Sequence, residues 1–161
     1  MNNQQIKQSC SCPCGAATFD VHTKPLARFH CHCLICQKLY QKPSADFNVM
    51  FSNKVTLHDP NKIKFNRYRL PPALRRGVCK KCNHPVIGFL SLAPFVELAF
   101  VASSHFQDTS LLPSPQAHIF YHRRSADIND ELPKHEGYLK SEWAVIAGLT
   151  KGVCSKLSKH Q

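Results

Sequence analysis

Cys31-His32-Cys33-Leu34-Ile35-Cys36 places three thiols within six residues, and the reading of the whole chain turns on this stretch. A tetrahedral Zn²⁺ in a structural site takes four ligands, mostly Cys or His, and CxxC spacing lets two thiolates reach one ion. Three local sulfurs leave one position, to be filled by water, by a substrate, or by a neighbour such as His30 or His32. A histidine there closes the site as a Cys₃His staple, whereas an outside donor makes it reactive. Catalytic zinc sites built on three protein ligands plus water favour the open form.

Two further motifs flank it, Cys12-Pro13-Cys14-Gly15 before and Cys79-Lys80-Lys81-Cys82 after. Together the three supply seven of the nine cysteines, and the economical partition is four plus three. Cys12, Cys14, Cys79 and Cys82 make a closed Cys₄ site joining the N-terminal region to mid-chain, and Cys31, Cys33 and Cys36 hold a second ion, so two Zn²⁺ per chain are expected. The competing reading is buried free thiols, since free Cys is among the most buried residue types; clustering at CxC, CxC and CxxC spacing argues against it. Gly15 suits the first loop because glycine takes positive φ without steric cost. Asn83, just after the second pair, is the usual non-glycine residue for the left-handed region. Cys10 could replace Cys12 in an alternative CxC pair, and Cys154 reads as a bystander. His32, enclosed by the triad, is expected to orient rather than ligate.

A chain of 161 residues with 43% hydrophobic and 19% charged residues bounds one domain with a sizeable core. Residues 1–8 carry no apolar segment of the secretory kind, and nine cysteines without one point to metal ligation in a reducing cytoplasm rather than a disulfide framework. Residues 86–103 are long enough to span a membrane, but Pro94 and Glu97 interrupt them, so two buried strands around a turn at Ala93-Pro94 are expected instead. The formal charge is +11; seven thiolates and two Zn²⁺ would take three from it and leave a basic protein. The charge is scattered, with short concentrations at Arg75-Arg76, Lys80-Lys81 and Arg123-Arg124. Scattered charge fits a solvated surface or a small anionic substrate better than nucleic acid.

Alternating apolar residues predict strands at 16–22, 26–30, 47–51, 54–58, 62–65, 86–92, 95–102 and 117–122. Ser52-Asn53 is expected to be the turn of a hairpin between the third and fourth of these. One or two helical turns are expected over 37–42, ended by Pro43, with Pro71-Pro72 breaking the pattern ahead of the second cysteine pair. A C-terminal helix from Tyr138 is expected to end near Gly148 and Gly152, with a mobile tail beyond. This gives a leader over 1–9, a zinc-binding domain over 10–136, and a helix with a basic tail over 137–161.

In their order and spacing, the three cysteine motifs resemble those of the family that includes glutathione-dependent formaldehyde-activating enzyme and centromere protein V. Pro115-Gln116-Ala117-His118-Ile119 is similar to that family's Pro-x-x-His-Ile segment, so the resemblance covers residues 9–135. It implies a mostly β fold, a zinc-stapled β-tent of small antiparallel sheets with a short C-terminal helix, carrying a structural zinc on the CxCG and CxxC cysteines and a catalytic zinc on CHCxxC. The activity implied is a zinc-dependent carbon-sulfur lyase acting on thiol-aldehyde adducts, like the synthesis of S-(hydroxymethyl)glutathione from glutathione and formaldehyde. The alternative is a non-enzymatic, zinc-stabilised basic binding module like centromere protein V. Asn83 departs from the family's usual Gly after CxxC, and Ser125-Ala126-Asp127 lacks the Trp expected after the Pro-x-x-His segment.

Overall fold

The computed structural model describes residues 6–69 and 74–158; the expected break at Pro71-Pro72 lies outside them. In chain order the regular elements are β1 (Gln8–Ser11), β2 (Thr18–Val21), β3 (Ala27–Cys31), α1 (Leu34–Tyr40), β4 (Ala45–Phe51), β5 (Val55–Leu57), β6 (Ile63–Arg67), β7 (Arg75–Cys79), β8 (Pro85–Ala93), β9 (Val96–Ala102), β10 (Ala117–Ile119) and α2 (Tyr138–Leu157). The fold is mostly β, with small antiparallel sheets and a C-terminal helix, as expected. The chain divides into two compact units, one of residues 1–24 and 50–111, the other of 25–49 and 112–161. No helix among the described residues is long and apolar enough to cross a membrane.

In the first unit β2 pairs antiparallel with both β1 and β5. Phe19 and Val21 point inward with no exposed surface, as their alternation dictates. Asp20 departs from the alternation, being buried yet satisfied by Ser9 Oγ (3.0 Å), His58 Nε2 (2.9 Å) and Lys7 Nζ (3.1 Å). A second antiparallel run joins β6, β7, β8 and β9, and β8 and β9 form the expected hairpin, turning at Pro94-Phe95 with Phe95 at φ +68°.

In the second unit β3 lies between antiparallel β4 and parallel β10. Phe29 on β3 packs against Phe47 on β4 with ring centroids 6.1 Å apart, and Arg28 forks onto Asp46 at 2.8 and 2.7 Å.

Three expectations are corrected. β4 and β5 are not a hairpin: β4 pairs with β3 and β5 with β2. Ser52–Lys54 is a 3₁₀ turn, and neither Ser52 nor Asn53 has the positive φ that a two-residue hairpin turn demands. The last strand is shorter than expected, because β10 stops at Ile119 and Phe120 takes φ +54° to start a 3₁₀ turn at Tyr121–Arg123. Finally, α2 runs through both glycines to Leu157. They lie where the helix meets the strand beneath it: a Cβ on Gly148 would fall 2.6 Å from Phe29 Cζ, and one on Gly152 2.2 Å from the Leu26 carbonyl oxygen. Glycine serves close approach here, not termination.

Candidate metal centres

The first centre belongs wholly to the first unit. Between β1 and β2 the chain folds into a tight loop in which Gly15, at φ +72°, donates its N–H to Cys12 O (2.9 Å), and the Cys12 thiol accepts from Ala17 N (3.3 Å). At the end of β7 the chain turns again: Asn83 sits at φ +56°, as its type predicted, and closes the loop through Asn83 N to Cys79 O (2.8 Å). The two loops bring the sulfurs of Cys12, Cys14, Cys79 and Cys82 within 4.8 Å of one another. Cys12 Sγ lies 3.4 Å from Cys14 Sγ, which lies 3.8 Å from Cys79 Sγ. Corners of a tetrahedron of thiolates about 2.3 Å from a zinc ion are about 3.8 Å apart, so the donor set fits such an ion in size and in softness. Burial opposes ionisation of Cys79, but hydrogen bonds from the backbone N–H groups of Cys82 and Lys81 and from neighbouring thiols outweigh it and pull the thiol down to about 7. This loop is built to hold thiolate.

The second centre belongs wholly to the second unit. Cys31 ends β3, fixed by Phe29 and Cys31 registering with Ala117 and Ile119 of β10 on one side and with Phe47 and Ala45 of β4 on the other. Cys33 caps α1, its sulfur accepting from Cys36 N at 3.3 Å. That sulfur cap starts the helix three residues ahead of the expected 37, and Gln41 at φ +51° ends it. Cys31, Cys33 and Cys36 thereby bring their sulfurs within 4.8 Å of one another, and among the described residues no His, Asp or Glu joins them as a further donor. Hydrogen bonds that the Cys31 thiol donates to the Cys33 and Cys36 sulfurs, together with burial, raise it well above its ordinary range, so these sulfurs need a cation to ionise together.

Behind this segment stands a group of polar residues that motif reading did not assemble. His32, 1% exposed, lies edge-on to Tyr121 with centroids 5.2 Å apart. Its Nε2 is 2.8 Å from His118 Nδ1, and His118 Nε2 is 2.8 Å from Asp130 Oδ2. Gln37 Nε2 braces the loop by donating to the carbonyls of His32 (2.5 Å) and Arg123 (2.7 Å). Burial, then the neighbouring His118, His30 and Arg124, push His32 down to about 4. Lys134 and His118 hold Asp130 well below the usual carboxylate range. His118 was visible in the Pro-x-x-His-Ile segment without a role; Asp130, in an irregular loop twelve residues on, carried no signal at all.

Cys10 joins neither cluster. It is buried, and burial followed by the Asp20 charge pushes its thiol up to about 12. Cys154 is exposed on α2.

A family model described as glutathione-dependent formaldehyde-activating enzyme matches residues 7–123, a span that contains both cysteine clusters and His118. No curated protein matches the chain. A crystal structure of a Rhodobacter sphaeroides protein, solved as a structural-genomics target, is similar to it with a TM-score of 0.52 at 13% identity, over 79% of this chain and 99% of that one; at that identity the likeness bears on the fold alone.

Proposed function

The chain belongs to the glutathione-dependent formaldehyde-activating enzyme family, and on that premise we propose that it is a zinc-dependent carbon-sulfur lyase acting on thiol-aldehyde adducts, in the manner of S-(hydroxymethyl)glutathione synthase. Cys12, Cys14, Cys79 and Cys82 hold a structural zinc; Cys31, Cys33 and Cys36 hold the catalytic one. The observation that carries the reading is the difference in donor number, four thiols in one cluster and three in the other. A tetrahedral ion on three protein donors keeps one position for a ligand from solution, which is the hallmark of catalytic rather than structural sites. Bound there, zinc supplies Lewis acidity and a soft partner for a thiolate.

The remaining work falls to the chain. In the synthetic direction a C–S bond forms between the thiol sulfur and the aldehyde carbon, the carbonyl π pair moves to oxygen, and the thiol proton ends on that oxygen; cleavage reverses each transfer. β3 and the capped α1 fix the three sulfurs relative to one another. Tyr121 and His118 pack around His32 and keep that side of the segment dry, which strengthens polar contacts made there. The net positive charge favours approach of an anionic thiol such as glutathione over a neutral one.

The test is a titration of glutathione into the cobalt-substituted protein, following the thiolate-to-metal absorption, and then formaldehyde addition with the rate of adduct formation measured. We expect a spectral change that Cys33→Ser abolishes, and adduct formation faster than in buffer. An unchanged spectrum together with no acceleration would overturn the lyase reading in favour of a zinc-stabilised binding module.

A further inference from the structure

A hydrogen-bonded chain runs from the three-thiol segment to a surface carboxylate. Its members in order are His32, His118 and Asp130, joined at 2.8 Å and 2.8 Å, with Lys134 Nζ on the other Asp130 oxygen at 2.7 Å. Both rings are almost wholly buried, 1% and 2% exposed. At the inner end, His32 Nδ1 is buried and has no hydrogen-bond partner among the described residues. Orphaned buried polar atoms are uncommon enough to require a reason.

The direction of the chain follows from what each group can donate. An ionised carboxylate only accepts, so the hydrogen between His118 and Asp130 is on His118 Nε2. One hydrogen lies between the two imidazoles. If it were on His118 Nδ1, His118 would be a buried imidazolium, stacked 5.0 Å from His30 and facing a carboxylate already paired with Lys134. Burying that extra charge is costly. With the hydrogen on His32 Nε2 instead, both rings stay neutral and His32 Nδ1 is bare, able only to accept.

We propose that His118 and Asp130 are positioning residues that lock His32 in its Nε2–H tautomer, so that its bare Nδ1 accepts a hydrogen bond from the hydroxyl of a thiol-aldehyde adduct held at the three-thiol site. His32 lies between two of the thiols in sequence but is not one of the clustered donors, which suits contact with a ligand rather than with the ion. The hydroxyl is the one group the adduct has and glutathione lacks, so an acceptor here separates adduct from free thiol. The identity of the ligand rests on the lyase reading; the tautomer does not.

The experiment is ¹H–¹⁵N imidazole correlation spectroscopy on the zinc-loaded, ¹⁵N-labelled protein, with His32 assigned by the loss of its signals in His32→Gln. The ligand-free spectrum is expected to show His32 with a bare Nδ1 and a hydrogen-bearing Nε2. Asp130→Asn, whose amide can donate where the carboxylate could not, is expected to reverse or mix the His32 tautomer and to lower kcat about 10- to 100-fold while zinc content and circular dichroism stay unchanged. Glutathione plus formaldehyde is expected to move the Nδ1 resonance, and glutathione alone to leave it in place. A His32 carrying its hydrogen on Nδ1 in the wild-type protein overturns the proposal without recourse to any variant. So does a tautomer that Asp130→Asn leaves untouched, or an Nδ1 resonance that stays fixed while the adduct binds. If glutathione leaves the cobalt spectrum unmoved and adduct formation is not accelerated, the lyase reading falls, and the ligand-free spectrum alone decides the tautomer.

Discussion

Replacing Cys79 with serine removes one of the four thiols that clamp distant parts of one unit. Cys14 and Cys79 are 65 residues apart in sequence, yet their sulfurs are 3.8 Å apart; the other cluster closes within Cys31 to Cys36. Loop-closure entropy grows as three-halves RT ln n, so the long closure costs about 2 kcal/mol more than the short one in the unfolded chain. On the proposed zinc reading, holding it in the folded state falls to the ion, whose apparent binding energy in structural Cys-rich sites is about 10–16 kcal/mol, as large as the whole stability of a typical domain, about 5–15 kcal/mol. Losing a quarter of the ligands is therefore expected to unfold the protein. Cys33→Ser should act differently. Cys31 is held by strand pairing on both sides, and Cys33 caps α1 through its side chain, a task serine performs well, so the change should stay within about 1 kcal/mol. Far-ultraviolet circular dichroism, urea midpoints and zinc content of the two variants provide the assay. Equal loss of folding in both, or a folded Cys79→Ser protein with its zinc complement intact, would refute the division of roles.

Gly152→Ala would set a methyl 2.2 Å from the Leu26 carbonyl oxygen, with the rest of that peptide close behind. Backbone cannot swing aside, so the overpacking cost of about 1–3 kcal/mol should exceed the roughly 1 kcal/mol gained in helix propensity; a raised urea midpoint would contradict the close approach. His58, against burial and with help from Lys7 and Ser9, pulls Asp20 down to about 2. Its folded pKa lies below the unfolded value of about 3.9, so its contribution is complete above about pH 4 and lost as pH falls towards 2. Asp20→Asn should flatten the decline of stability across that window; an unchanged decline would assign it elsewhere. Cys10, buried and pushed up to about 12, should resist iodoacetamide at pH 7.5 in the zinc-loaded protein while exposed Cys154 is alkylated, as peptide mass spectrometry would report; early labelling of Cys10 would contradict its buried neutral state.

The grouping of cysteines was legible because chelation needs short spacings that few other uses of cysteine require: CxCG with CxxC and CHCxxC form the two sets that the fold brings together. The strands were legible where one face is buried, as at Phe19 and Val21. What escaped was governed by partners distant in sequence. The β4–β5 hairpin failed because each strand found a different neighbour, and the helix end failed because the glycines serve the approach of Leu26 and Phe29. Asp130 escaped because an irregular loop carries no period to mark the residue it delivers.

The two centres differ in how the chain treats its sulfurs, and that difference bears on which could be reactive. In the four-thiol centre, backbone N–H groups aimed at Cys79 lower its pKa, and the same donors draw electron density from the thiolate, a setting suited to a permanent ligand. In the three-thiol centre, hydrogen bonds to the neighbouring thiols and burial raise Cys31, so its thiolate would depend on a bound cation for stabilisation. On the proposed zinc reading, an ion held there by three protein donors would take its fourth ligand from solution. The His32–His118–Asp130 chain, with both rings buried, stands behind this second segment, so the thiols and the polar residues able to read a ligand's hydroxyl are assembled within one unit of the chain.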